Sequence, residues 1–210
     1  LNFMIAGAWA TISISVLAIL GSVLLGLIVS LGALSQYRVL RGANRLYVEV
    51  FRSVPTLVMI LWVYYGMPAL LGISLDPFAA GLLALVLSDS AFEAEIFRGG
   101  IQSIDKGQTE AADSLGLTYA DRMRFVILPQ AIRRILPPLG NQFVYMLKMS
   151  SLVSVIGYME LTRRANELTV VEYRPLEIYT ILLLEYLVLI LVVSWAVRLL
   201  ERRMDKTNRR

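Results

Sequence analysis

Two long apolar runs, Ile5 to Leu34 and Ile178 to Leu200, constrain this chain more than any other feature. A helix that crosses a bilayer needs roughly 20 predominantly apolar residues, and each run is longer than that. The chain as a whole is 57% hydrophobic with a mean hydropathy of +0.66, too apolar for a soluble protein of 210 residues. Val54 to Leu71 and Pro77 to Phe97 are shorter or more polar, yet long enough to span with some tilt. A weaker stretch runs from about Ile135 to Gly157 and is broken by Pro137, Pro138 and Lys148. The expected fold class is therefore an all-α membrane protein. Its single domain covers residues 1–210, with transmembrane helices at about 5–34, 54–71, 77–97, 135–157 and 178–200. The competing arrangement makes one of the weak segments re-entrant.

Cysteine is absent, so a disulfide framework, a thiol nucleophile and a cysteine metal site are excluded. Histidine is absent as well, which removes the commonest metal ligand and the usual neutral-pH base. The first apolar run lacks a basic leader and a small-residue cleavage site, and it is too long for a signal peptide. It is expected to be the first permanent span.

The net charge of +4 matters less than its distribution. Arg38, Arg41, Arg45 and Arg52 lie between the first two spans. Arg98, Lys106, Arg122, Arg124, Arg133 and Arg134 lie between the third and fourth, and Arg198, Arg202, Arg203, Lys206, Arg209 and Arg210 follow the fifth. The alternate loops hold only Arg163, Arg164 and Arg174. Basic residues accumulate on the cytoplasmic side, which puts the N-terminus outside and the C-terminus inside. In a chain of this kind the basic segments report topology and not nucleic-acid binding.

Ser22, Gly26 and Ser30 recur every four residues in the first span, a small-residue stripe that lets two membrane helices approach closely. Pro68 and Gly72 are expected to close the second span. Leu161 to Glu177 is the one long external connection, and its Leu161, Ala165 and Leu168 predict a short amphipathic helix.

The cytoplasmic island from Lys106 to Pro129, KGQTEAADSLGLTYADRMRFVILP, divides into two short helices. Thr109 to Leu115 forms the first, with Gly116 as a left-handed C-terminal cap. Thr118 caps the second, with Asp121 three residues on, and Pro129 limits it. Ala111, Ala112 and Leu115 are expected to make a compact apolar face beside Glu110 and Asp113. A face of small residues suits seating in a partner's groove, whereas interfacial helices usually carry large apolar residues.

These residues resemble the permease subunits of bacterial polar amino acid ATP-binding-cassette (ABC) importers. The resemblance runs along nearly the whole chain. It is carried by FRSVPTL at Phe51–Leu57, AEIFRGGIQSIDKGQTEAADSLGL at Ala94–Leu117, ILPQAIRRILPPLGNQFV at Ile127–Val144 and SSLVSVIG at Ser150–Gly157. It implies a type I importer fold with a cytoplasmic coupling helix between spans three and four. Glu110, Ala111, Ala112, Asp113, Leu115 and Gly116 would belong to that helix, the EAA motif that docks on an ATPase subunit. It implies as partners an ABC ATPase dimer, an extracytoplasmic solute-binding protein and a second permease subunit, identical or homologous. ATP and magnesium would sit on the ATPase, and this chain would hold no cofactor or metal. The expected location is the bacterial inner membrane, multi-pass. The chain departs from the family pattern at Met149 (usually acidic or amide), Phe92 (usually tyrosine) and Asp89 (usually apolar), so the identity of the amino acid does not transfer.

Ionisable side chains within a span are expensive and face a cavity or a partner. Asp89, flanked by Ser88 and Ser90, is the sharpest candidate for contact with a substrate ammonium group, with Ser90 and Glu160 contributing. Phe92 and Ser151 complete the candidate set. The alternative is a buried Asp89–Lys148 pair that only fixes packing. Glu95 and Arg98 are read as a structural pair. Asn141, Gln142 and Ser150–Ser151 either line the path or satisfy backbone groups freed by the prolines.

The expected function is ATP-driven import of a polar amino acid or similar zwitterion by alternating access. The chain lacks the phosphate loop of an ATPase and the nucleophile elbow of a hydrolase, so no catalysis of its own is expected. The competing functions are an ion-coupled secondary carrier and an intramembrane enzyme.

Overall fold

The computed structural model describes residues 2–206. Arg209 and Arg210 of the basic C-terminal cluster lie outside the described residues. The described residues form helices and contain no strand. In chain order these are α1 (Asn2–Leu34), α2 (Arg38–Ser53), α3 (Thr56–Leu61), α4 (Met67–Leu71), α5 (Pro77–Gln102), α6 (Lys106–Ser114), α7 (Tyr119–Asp121), α8 (Leu128–Met149), α9 (Leu161–Glu172) and α10 (Pro175–Lys206). Two segments, Met4–Leu34 and Pro175–Leu200, are long and apolar enough to cross a membrane by themselves, and α2 with α3–α4 forms a pair bent by 99°.

Helix directions follow from the contacts. Gly21 meets Val86, Ser22 meets Asp89 and Gly26 meets Glu93, so α1 and α5 run parallel with a constant offset. Parallel neighbours require the intervening chain to travel back, and α3–α4 makes that return. Gly81 meets Val153, Asp89 meets Gln142 and Gly100 meets Ile135, which makes α8 antiparallel to α5. The start of α10 packs against Met4 and Leu161 through Ile178, while its later residues Ser194 to Arg198 line a groove with Pro137, Asn141 and Lys148. Thus α1, α5 and α10 point one way and α3–α4 and α8 the other. One end of the bundle gathers Leu34, α2, Gln102 and α6. The other gathers Met4, Pro77, Gly157 and α9.

The small-residue stripe of α1 is a packing seam. A side chain at Gly26 would fall 2.5 Å from Glu93 Cβ and 2.8 Å from the Ser90 carbonyl oxygen, so α5 lies directly on the α1 backbone. Close backbone approach of this kind supplies the van der Waals contact that holds helices together in lipid. Capping is local and legible. Asp76 accepts from the N–H groups of Phe78 and Ala79 at the start of α5, and Gly72 ends α4 with φ +69°.

The prolines behave differently from expectation. Pro129 does not limit the second island helix, because a π-helical turn at Arg122–Ile127 carries the chain from α7 straight into α8. The amide of Leu128 bonds Met123, five residues back, and the widened turn accommodates the N–H that Pro129 lacks. The same device precedes Pro68: Trp62–Gly66 is π-helical and Met67 N–H bonds the Trp62 carbonyl, so Pro68 does not close the segment and Gly72 does. Pro137 and Pro138 do not break the fourth helix either. α8 passes through both and continues as a 3-10 turn, Ser150–Ile156, up to Gly157.

Two expectations on element bounds are met with shifts of register. The first island helix is Lys106–Ser114 and not Thr109 to Leu115, since Asp105 accepts from Gly107 N–H and starts the helix earlier. The amphipathic connection is α9, Leu161–Glu172, stopped by Tyr173 in the left-handed region. α2 was not anticipated. Its arginines carry the topology signal, and Leu40, Asn44, Tyr47 and Phe51, spaced four, three and four apart, mark a helix face.

Candidate functional site

Asp89 is 4% exposed and sits where α1, α5 and α8 meet. The Ser22 hydroxyl donates to Oδ2 at 2.8 Å, and the Gln142 amide donates to Oδ1. Such partners offset the cost of burying a carboxyl. Lys148 is exposed and is not among those partners, so the buried Asp89–Lys148 pair is not formed. Ser90, fully buried, shares a 2.8 Å hydrogen bond with the Tyr47 hydroxyl of α2 and donates to the Leu87 carbonyl at 3.0 Å. Phe92 is half-buried, with the Arg52 guanidinium 5.1 Å over its ring.

Ser88, Asp89 and Phe92 line a crevice with Thr56, Tyr145 and Met149. Its free volume of about 10 Å³ accommodates a water-sized group and no amino acid. The Ser88 hydroxyl has no hydrogen-bond partner there. One turn further along α5, Glu93 is fully buried against Gly26, and neither of its oxygens has a hydrogen-bond partner. Tyr47 escapes the sequence reading, whereas Glu93 counts there among the ionisable residues of the third span without a place in the substrate set. The four-residue spacing from Asp89 to Glu93 puts both carboxyls on one helix face, and that signal was available.

Glu160 belongs elsewhere. It is the N-cap of α9, accepting from Thr162 N–H at 2.9 Å and Arg163 N–H at 2.7 Å, and the Tyr186 hydroxyl donates to it at 2.9 Å. Its neighbour Leu161 bonds Thr11, whereas Asp89 bonds Ser22, about 16 Å of helical rise along α1. The structure therefore does not bring Glu160 to Asp89. Ser151 is half-buried in the 3-10 turn and donates to the Lys148 carbonyl at 2.7 Å. Glu95 and Arg98 form the expected pair, at 2.9 and 2.6 Å.

The second candidate surface is α6. Leu117 N–H bonds the Ala112 carbonyl and Gly116 N–H bonds the Asp113 carbonyl, with Gly116 at φ +73°, the Schellman arrangement. Asp113 pairs with Arg122 and so ties α6 to the π-helical turn. Thr118 caps α7, its hydroxyl accepting from Asp121 N–H and donating to Asp121 Oδ2. The single apolar face expected of α6 is split. Ala112 is buried against the protein, while Glu110 and Ala111 are exposed and Leu115 is 79% exposed. A helix rotated in this way presents a carboxylate, a methyl group and a large apolar side chain outward, beside exposed Tyr119 and Phe125.

The model of the family described as "Binding-protein-dependent transport system inner membrane component" matches residues 18–206. The glutamine transport system permease protein GlnP of Escherichia coli strain K12 is 39% identical over 202 residues, covering 96% of this chain and 92% of that protein. The arginine transport system permease protein ArtQ of Bacillus subtilis is 37% identical over 206 residues, covering 98% and 94%. Among solved structures, an amino acid ABC transporter crystallised with histidines superposes with a TM-score of 0.92 at 44% identity, covering 96% of this chain and 94% of that one. The inward-facing MetNI methionine ABC transporter has a TM-score of 0.82 at 18% identity, covering 97% and 96%, a likeness of fold alone.

Proposed function

This chain belongs to the family of binding-protein-dependent transport system inner membrane components, and on that premise we propose that it moves a polar amino acid, or a similar small zwitterion, into the cell by alternating access. It is an amino acid ABC transporter permease, the membrane subunit of an importer. It is a transport subunit and not an enzyme, because ATP hydrolysis in these systems belongs to separate subunits.

The whole of 1–210 is one transmembrane unit. Five crossings are supported by the alternating directions of α1, α3–α4, α5, α8 and α10. The basic residues of α2, α6 and the π-helical turn share the Leu34 end, which favours that end as cytoplasmic and the N-terminus as external. ATP and magnesium bind on an ATPase dimer, an external binding protein delivers substrate, and a second permease copy or homologue completes the path.

The observation that carries this reading is α6. Its cap and its Asp113–Arg122 pair hold it at the basic end, and Glu110, Ala111 and Leu115 point away from the bundle. That is the geometry of a helix that seats in another subunit. Closure of the ATPase dimer on ATP pulls two such helices together and shifts the population from inward- to outward-facing. Asp89 holds the substrate ammonium, with Ser90, Phe92 and Ser151 bordering the path, and the closed crevice is the empty form of that site. Glu160 caps α9 and lies away from that site.

Reversing the Glu110 charge tests the coupling. Glu110→Lys should abolish ATP-driven uptake in proteoliposomes while the two permease subunits still assemble. Normal uptake by that variant would count against docking through α6.

A further inference from the structure

α2 has three distinct faces. Asn44, Tyr47 and Val48 face the bundle, with Asn44 bonded to the Val29 carbonyl, Tyr47 to Ser90 and Val48 buried. Val39, Leu46 and Val50 form a second stripe that is 82%, 65% and 45% exposed. Arg38, Arg41, Arg45 and Arg52 form a third, at spacings of three, four and seven residues.

The basic stripe overlooks a groove of about 720 Å³ between α2 and α5. Arg41, Arg45, Arg52 and Arg98 line it with Glu49 and Glu95. Four guanidiniums against two carboxylates leave an excess of two positive charges. Arg98 and Glu95 neutralise each other. Arg41 donates to the Ser35 and Gln36 carbonyls, and Arg52 stacks on Phe92 within electrostatic reach of Glu95 but forms no ion pair with it. Arg45 is exposed and makes no hydrogen bond or ion pair among the described residues.

We propose that this groove holds the phosphate headgroup of an anionic phospholipid, whose acyl chains lie along Val39, Leu46 and Val50. The 99° bend between α2 and the segment Thr56–Leu71 lays α2 along the membrane surface when that segment crosses. Exposed apolar residues beside arginines are the pattern of an interfacial helix that attracts anionic lipid. A lipid supplies a negative head and an apolar tail in one molecule, matching two adjacent faces of one helix. The inference rests on the reading of this chain as a membrane-crossing subunit.

The test uses the assembled importer in nanodiscs of phosphatidylcholine and phosphatidylglycerol, followed by native mass spectrometry of the lipids it retains. Wild type should retain phosphatidylglycerol in preference. Each arginine near the surface contributes about a fivefold preference, so Arg45→Gln should cost about fivefold and the pair Arg45→Gln/Arg52→Gln roughly 25-fold. An unchanged lipid ratio in the assembled double variant overturns the proposal. If the double variant does not assemble, Arg45→Gln alone decides, since Arg45 is exposed and bonds nothing. Should inorganic phosphate bind the groove and phosphatidylglycerol fail to compete with it, the site takes a soluble anion and the lipid assignment falls. ATP-driven uptake in phosphatidylcholine vesicles is measured in parallel. Uptake without lipid preference removes only the lipid inference, and lipid preference without ATP-driven uptake removes only the importer reading.

Discussion

The Ser22 hydroxyl donates a 2.8 Å hydrogen bond to Oδ2 of Asp89 across the α1–α5 interface, and Gln142 of α8 donates to the other oxygen. One carboxyl group thus joins three helices in surroundings where an unpartnered charge is costly. The same group lines the closed crevice, so the tie between helices and the proposed substrate contact share one side chain. Opening the crevice would exchange a protein donor for the substrate ammonium, which links occupancy to helix movement.

Replacing Asp89 by Asn removes the charge and keeps the size. A hydrogen bond to a charged group contributes about 1.5–3 kcal/mol, so substrate affinity should fall by roughly tenfold to a hundredfold, most for amino acids with an exposed cation. Uptake kinetics on cationic and neutral amino acids, with assembly verified by mass, check this. Unchanged kinetics and preference would leave Asp89 as a structural tie and remove it from the path.

Gly26→Ala puts a methyl group 2.5 Å from Glu93 Cβ and 2.8 Å from the Ser90 carbonyl. The backbone oxygen cannot swing aside, so α1 and α5 must separate locally. Overpacking of this kind costs about 1–3 kcal/mol. Thermal unfolding in detergent should move to lower temperature, and a wild-type transition would mean that the α1–α5 seam is looser than the contacts indicate.

Gly116→Val acts on the cap of α6 and nowhere else, since no atom lies within 4 Å of the added Cβ. The strain comes from φ +73° alone, at about 1–2 kcal/mol for an ordinary residue and more for a β-branched one. Uptake should drop while the bundle keeps its thermal stability, because the cap orients the exposed Leu115. Equal loss of bundle stability would show that α6 is part of the core and not a separate docking element.

The elements that sequence alone revealed were those whose physics is local. Apolar runs longer than a bilayer is thick marked α1 and α10, and Thr118 and Gly116 marked helix ends through single-residue chemistry. The failures came from non-local compensation. Proline at 68 and 129 reads as a stop, yet a π turn just before each lets the chain continue. Ala111 and Ala112 read as one face, yet which alanine packs inward depends on how Asp113 and Arg122 anchor the helix. Asp89 stood out as a charge in an apolar span, but its partners Ser22 and Gln142 are 67 and 53 residues away and no local pattern connects them. Glu160, just beyond the fourth span, reads from sequence only as a contributor to the Asp89 site, and its role as a cap is visible only with α9 and Tyr186 in place.

The proposed coupling makes this membrane subunit work only when joined to an ATPase. Native mass spectrometry of the complex, extracted gently from the membranes that make it, tests this most directly. An assembly with two ATPase subunits and two permease subunits is the predicted result, and the loss of the ATPase subunits in the Glu110→Lys variant would tie the joint to α6. A chain that emerges alone or only with copies of itself, while ATPase subunits remain in other complexes, would contradict the account.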